Sequence, residues 1–408
     1  MTDWRASGIR PADVLLPRAP GLGRFWPVVA LDQYTSQPEV WRAAEREIGS
    51  HPSTLRLVVP EAFLEETEAR GRQVREAMED YLRRDLFSVL PGSFILVERE
   101  TQSGKRVGLV LAVDLEAYDY APGSRSLIRA TEETVLDRIP PRLKVREQSA
   151  LELSHVMLLV DDPEDGVLGP LYRKRDSLPL AYDIPLLMDG GRVRGWRVAG
   201  EEDHARLASA LDSLRERLPP GGLLFAVGDG NHSLAAAKAS WQKQKPGLTP
   251  EEQEAHPARF ALAELVNLHS EALLFEPIHR MAFGVGAQRL LEVLSPLGPV
   301  KAETAPDIVL VGGAEDLPLA LNGKGDALLT DAVQRLLDGA ALPLDYVHGE
   351  AALRSVAAAR GGTGILMPEF PKSALFPTVR RHGRLPRKTF SMGEANEKRF
   401  YLEVRRIR

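Results

Sequence analysis

Leu223-Leu-Phe-Ala-Val-Gly-Asp-Gly-Asn-His-Ser-Leu-Ala-Ala-Ala-Lys238 is the stretch that decides the fold. Leu223 to Val227 is an apolar run of β-strand length, and an alanine-rich segment of helix-forming composition begins right after Ser233. Between them lies Gly228-Asp229-Gly230-Asn231-His232-Ser233. A strand that enters a helix through a glycine-rich turn leaves backbone N–H groups without intrahelical acceptors, where the helix dipole favours an anion. Glycine also lets backbone approach a phosphate closely. The turn is therefore a candidate phosphate cradle, with Asp229 and His232 as titrating groups on its rim. The same residues also suit a plain chain reversal, with Asn231 or Ser233 capping the helix.

Composition narrows the function classes. The chain has 408 residues, enough for two or three lobes, and its 44% hydrophobic and 27% charged content is that of a globular enzyme. A net charge of -5 disfavours nucleic-acid or anionic-membrane partners. With no cysteine there is no disulfide, thiolate metal site or cysteine nucleophile, as in a reducing cytoplasm. No apolar stretch reaches membrane-helix length and the N-terminus lacks the order of a secretory signal, so a cytoplasmic protein is expected.

Working outward, residues 28–32 and 54–59 read as short buried strands, with a helix from Pro38 to Ile48 between them. Residues 65–87 read as an amphipathic helix, and Phe94–Arg99 with Arg106–Asp114 as a hairpin. Val156–Val160 is a strand, and Leu186–Met188 and Arg192–Val198 flank a second hairpin turn. A helix over His204–Leu218 leads into the quoted strand, and Ala261–Asn267 forms another strand after it. From about residue 282 the pattern is β-β-α-β-α-β, and residues 399–405 alternate as a final strand. The expected architecture is mixed α/β. It has a catalytic region over about 1–281, a smaller C-terminal α/β lobe over 282–370 and a tail over 371–408 that folds back.

Other constellations could serve the turn. Asp32-Gln33-Tyr34-Thr35-Ser36 packs a carboxylate, an amide and hydroxyls into a strand-end loop, where sheets place ligands, though an Asx turn would look the same. Arg129 to Arg138 offers cations, a carboxylate (Glu132) and hydroxyls (Thr134 among them) at helical spacing. His279 and Arg280 stand just beyond a buried strand, and arginine grips phosphate bidentately. Leu385 to Gly393 is a second basic, hydroxyl-rich loop that also reads as a solvated patch. No Walker loop, Gly-x-Gly-x-x-Gly fingerprint, His-Glu-x-x-His or Gly-x-Ser-x-Gly is present.

Together, Val29–Ser36, His51–Leu57, Arg129–Glu132, Asp229–His232, Pro277–Arg280 and Leu385–Ser391 resemble domain-of-unknown-function family 1015 of bacteria and archaea, over nearly the whole chain. Many members carry Asp-Gly-His-His-Arg where this chain has Asp229-Gly-Asn-His-Ser233. That turn is similar to the phosphate-binding motif of the ParB and sulfiredoxin fold, a group that includes free-serine kinases, nucleotide-binding partition proteins and an ATP-using reductase. The resemblance implies nucleotide phosphate binding by Gly228, Gly230, Asn231, Ser233, Arg129, His279 and Arg280, with Asp229 and His232 catalytic. It further implies Asp32, Gln33 and Tyr34 on the acceptor side, ATP or ADP with Mg²⁺ as cofactors, and phosphoryl transfer to a small hydroxyl compound, free serine first. Ser233 departs from the motif by removing its arginine. The alternative is a ParB-like sensing or nucleic-acid-binding module without turnover.

Overall fold

A computed structural model describes residues 3–19, 21–35, 37–132, 139–313, 315–323, 328–386 and 388–408. It divides into two units, one of residues 1–273, 379–384 and 394–408, the other of residues 274–378 and 385–393. The division comes right after Leu273, so the whole strand Phe275–Phe283 belongs to the second unit.

In the first unit, thirteen strands among the described residues join one sheet. Its centre is the expected hairpin, Phe87–Thr101 against Gly104–Asp114. Side chains alternate across it: Ile95, Val97, Val110 and Ala112 enter one core, and Phe94, Leu96, Leu109 and Leu111 enter another. Helices Pro38–Ile48 and Thr67–Arg83 give Trp41, Ile48, Val74 and Met78 to the first core. Helices Glu201–Glu216 and Asn231–Gln244 give Leu207, Leu211, Leu234 and Trp241 to the second. A sheet covered on both faces explains why its central strands read as continuous apolar runs.

Strand Phe225–Asp229 lies inside this sheet, parallel to Ile128–Ala130 and antiparallel to Val156–Val160. Several sequence expectations need correction. Residues 54–59 are no strand: Thr54–Leu57 is a 3₁₀ turn, because Ser53 Oγ accepts from Leu55 N–H (3.3 Å) and Thr54 Oγ1 donates to the Trp26 carbonyl (2.9 Å). The strand expected over residues 28–32 is only Val28–Val29, so Asp32 lies in a turn beyond it. The second hairpin takes Leu180–Pro185, not Leu186–Met188, as its first arm. Arg129 sits on strand Ile128–Ala130 rather than a helix; Thr134 and Arg138 lie outside the described residues, as do Ser36 and Arg387.

The returning C-terminal segment is two short strands, not one. Phe400–Tyr401 pairs with Val28–Val29, and Val404–Arg406 lies between Ala12–Pro17 and Leu151–Leu153. A buried charge cluster holds it. Arg399, 3% exposed, lies 3.0 Å from Glu264 Oε2 and also pairs with Glu403. Burial opposes the Arg399 charge, but Glu264 and Glu403 raise its pKa above the ordinary arginine value. Tyr182 and Ser154 hydroxyls donate to Glu403 as well. Gly108 leaves room for this pairing, since a Cβ there would fall 2.1 Å from Glu264 Oε1. These contacts fix where Lys398 and Tyr401 stand.

The second unit has a seven-stranded antiparallel sheet among the described residues. Helices Ala287–Leu294 and Leu329–Gly339 pack one core and Glu350–Arg360 another. From Ile308 to Leu366 the order is the expected β-β-α-β-α-β; helix Ala287–Leu294 and strand Pro299–Lys301 before it were not expected. No helix among the described residues is long and apolar enough to cross a membrane.

Candidate functional site

The quoted turn joins strand to helix as its composition requires. Val227 pairs with Leu158 but Asp229 with Met157, so Gly228 is an extra residue in the ladder. Such a bulge breaks the alternation of side chains and re-aims the next residue, here Asp229. Gly230 then caps the helix in the left-handed region (φ 81°, ψ 23°), with no side-chain cap on the helix. Its Cβ would stand 3.1 Å from both His155 Cδ2 and Val156 Cα, so glycine is needed for conformation and for space. The expected capping by Asn231 or Ser233 is not present; the first intrahelical bond runs from Leu234 N–H to the Gly230 carbonyl (3.0 Å). Asn231 Oδ1 is buried with no hydrogen-bond partner.

Asp229 is half-buried, and its carboxylate accepts the Gly230 N–H (2.8 Å). Burial raises its pKa above the ordinary carboxyl value and the negative charge of Asp32 raises it further, while Lys398, His155 and the Gly230 N–H pull the other way. Asp32 thus stands close enough to Asp229 to disfavour its ionisation, although the two lie on distant segments. The same cluster includes Arg142, which burial pushes down while Asp32 and Tyr401 hold it up, and which pairs with Glu61. Tyr401 is raised well above its ordinary value by burial and by Asp32. Its ring stacks on His155 with centroids 5.1 Å apart.

Around Asp32, the Gln33 amide donates to the Asp32 carboxylate (3.1 Å) and the Trp41 indole N–H to the Gln33 carbonyl (3.1 Å). Tyr34 adopts φ 53°, a strained value for a tyrosine, and its phenol is pushed up by burial, Asp189 and Glu394. His232 and Ser233 are half-buried on the first helical turn.

Arg129, expected at the phosphates, is not brought to this turn. Arg129 directs its guanidinium to the carbonyls of Ser124 (2.9 Å) and Gly221 (3.2 Å), and Gly221 precedes the strand that ends in Asp229. It therefore points toward the end of that strand opposite the turn. His279 and Arg280 lie inside strand Phe275–Phe283 of the second unit, not beyond a strand, and Arg280 Nη2 is buried without a hydrogen-bond partner. His279 Nδ1 accepts the Met367 N–H (3.1 Å), and burial lowers its pKa. Arg280 donates from Nε to Gln334 Oε1 (3.0 Å) and from Nη1 to the Ile278 carbonyl; burial lowers its pKa to about 10.

Sequence reading missed His155, Arg142, Lys398 and Tyr401. His155 carried only a local signal, its place directly before the apolar strand Val156–Val160; that this strand neighbours the turn's own strand is seen only in the fold. Beside the cluster lies a cavity of about 170 Å³ that Ser233, Ala236, His155, Tyr401 and Arg142 help to line. Among the described residues no group of three or more His, Asp or Glu side chains could hold a metal. The donor chemistry of Asp32 and Asp229 nonetheless fits Mg²⁺, which binds through one or two carboxylates and completes its shell with oxygens of other ligands and water.

Gly230→Ala isolates the backbone requirement. A left-handed alanine costs roughly 1–2 kcal/mol, and the contacts with His155 and Val156 add to it. Urea unfolding should show at least that loss, whereas Gly247→Ala, with nothing within 4 Å of its Cβ, should be close to neutral.

Comparison with solved structures finds distant likenesses. A free serine kinase in complex with AMP matches at 13% identity with a TM-score of 0.39, covering 71% of this chain and 93% of that one. A conserved hypothetical protein from Pyrococcus furiosus matches at 12% identity and a TM-score of 0.35, covering 67% of this chain and 90% of that one. C-terminally truncated SbnI from Staphylococcus aureus matches at 11% identity and a TM-score of 0.38, covering 72% and 82%. No curated protein matches in sequence. The family model for a protein of unknown function, DUF1015, matches residues 9–339, and the chain belongs to that family.

Proposed function

We propose that this protein transfers a phosphoryl group from ATP or ADP to the hydroxyl of a small metabolite, with free serine as the first acceptor to test. The observation that carries this reading is a helix N-terminus that no side chain caps, entered through a bulge that re-aims Asp229, whose ionisation the charge of Asp32 opposes. Phosphoryl transfer needs positioning, charge neutralisation and a group to take the hydroxyl proton. The backbone amides of the Gly228–Ser233 turn receive the phosphates, with His232 on the same turn. Lys398 offsets negative charge, and Gln33 and Tyr34 flank Asp32 on the acceptor side. Bound Mg²⁺ would neutralise charge on the phosphate oxygens, with Asp32 and Asp229 as its protein ligands or Asp229 left as base.

The acceptor oxygen attacks the terminal phosphorus as the bond from that phosphorus to its bridging oxygen breaks. The shortened nucleotide leaves, and the hydroxyl proton passes to the Asp229 carboxylate. Its raised pKa suits a group that must accept a proton and later release it. Arg129, His279 and Arg280 have no role in this scheme.

The test is nucleotide consumption with Mg²⁺ and a panel of hydroxy amino acids and hydroxy acids, read together with phosphorylated product. A phosphorylated acceptor is the expected result. Clear nucleotide binding with no turnover on any acceptor would instead support a sensing module, the reading that Ser233 in place of arginine favours.

A further inference from the structure

The cavity beside the turn has a chemistry that phosphate binding does not use. Its walls are largely apolar, with Leu57, Val59, Met78, Val145 and Leu151 among them. The two cations at its edge are already matched, Arg142 by Glu61 and Arg146 by Glu152 (2.7 Å). An electrically balanced, apolar chamber is a poor host for a phosphate or carboxylate and a good one for a neutral, flat group. An apolar cavity of roughly 150 Å³ is known to hold a benzene ring, so about 170 Å³ is enough for one flat ring.

The cavity also carries an unmet hydrogen-bonding demand. His155 is 6% exposed, and its Nδ1 is buried with no partner. Its ring is held in place, stacked on Tyr401 and packed over Gly230. A buried polar atom without a partner marks a place where a ligand atom would restore a bond. Which proton the ring nitrogen carries is set by the tautomer, so it can meet either an acceptor or a donor on a heterocycle's edge. Ser233 and Ala236, one helical turn apart, line the cavity on the helix that starts at the phosphate turn.

We propose that this cavity seats the base of the nucleotide, a planar heteroaromatic ring lying against the apolar walls with its edge on His155 Nδ1. This inference rests on the reading that the Gly228–Ser233 turn holds the nucleotide's phosphates.

The test separates base from phosphate by comparing ADP with pyrophosphate, each with Mg²⁺, by calorimetric titration. Ala236→Leu and Val145→Phe fill the cavity from two different walls, the second from a half-buried position that disturbs the core less. His155→Phe keeps the ring but removes the nitrogen. A misfit of one or two methylene groups in a tight pocket weakens binding by roughly 10- to 200-fold. ADP should therefore bind at least roughly tenfold more weakly to the filled variants, while pyrophosphate binding stays within about twofold because the backbone turn is untouched. His155→Phe should also weaken ADP selectively. Folded variants that bind ADP as the wild type does, or that lose ADP and pyrophosphate equally, would overturn the base pocket while leaving the phosphate reading standing. Wild-type protein that binds neither ligand would overturn the phosphate reading and this inference with it.

Discussion

Asp229→Asn should lower phosphoryl transfer by about a hundredfold or more, the usual scale for loss of a general base. The substitution keeps the side chain's size and its ability to accept the Gly230 N–H, and removes only the charge. Nucleotide binding through backbone amides should survive far better than turnover. The variant should also be more stable than wild type at neutral pH. The Asp229 pKa is raised in the folded protein, chiefly by burial and then by Asp32, above an unfolded value near ~3.9. Its contribution is therefore fully present below the unfolded value and lost as pH rises through the folded one, so at neutral pH the ionised carboxylate costs stability. Asparagine carries no such cost, and its melting advantage should vanish at acid pH. A base that is destabilising to hold ionised is the usual trade between activity and stability. Undiminished turnover in a folded Asp229→Asn protein would remove Asp229 from the mechanism.

Arg399→Met should destabilise the first unit by about 3–5 kcal/mol, the scale for removing one partner from a buried ion pair. Methionine fills much of the space, but Glu264 and Glu403 lose the guanidinium they share, at 1% and 0% side-chain exposure. That loss is a large fraction of the ~5–15 kcal/mol by which domains are stable. The double variant Arg399→Met with Glu264→Gln should recover part of it, because the uncompensated charge is gone. Urea unfolding monitored by tryptophan fluorescence reads both. The site should suffer too, since Arg399 lies between Lys398 and the Phe400–Tyr401 strand. A loss below about 1 kcal/mol would show that the pair contributes no more than an exposed one.

What the sequence made legible depended on how local the physics was. Helix Pro38–Ile48, the long central hairpin and the strand–turn–helix around Gly230 were readable, because periodicity, a proline at the first helical turn and paired glycines act over a few residues. The 3₁₀ turn at Thr54–Leu57 was not, since its apolar alternation is strand-like and the Thr54 bond to Trp26 that overrides it spans many residues. Asp32, Asp229 and Tyr34 could be singled out as strand-end polar residues. Arg142, His155 and Tyr401 could not be joined to them, because the sheet order that brings residues 31, 142, 155, 233 and 401 around one cavity is a long-range property of the chain. Arg280 illustrates the reverse: its residue type suits phosphate, but only the structure shows its guanidinium engaged by Gln334 and Ile278.

The most direct measurement is the melting temperature of the protein with ATP, ADP, CTP or pyrophosphate, each with and without Mg²⁺. A ligand at a hundred times its dissociation constant stabilises by about 2.7 kcal/mol, which corresponds to a rise of roughly 4 °C for a unit of this size. The expected result is a saturable rise with ADP and with pyrophosphate that Mg²⁺ enlarges and that Gly230→Ala abolishes. Unchanged melting with all four ligands, in both ionic conditions, would contradict phosphate binding at the Gly228–Ser233 turn.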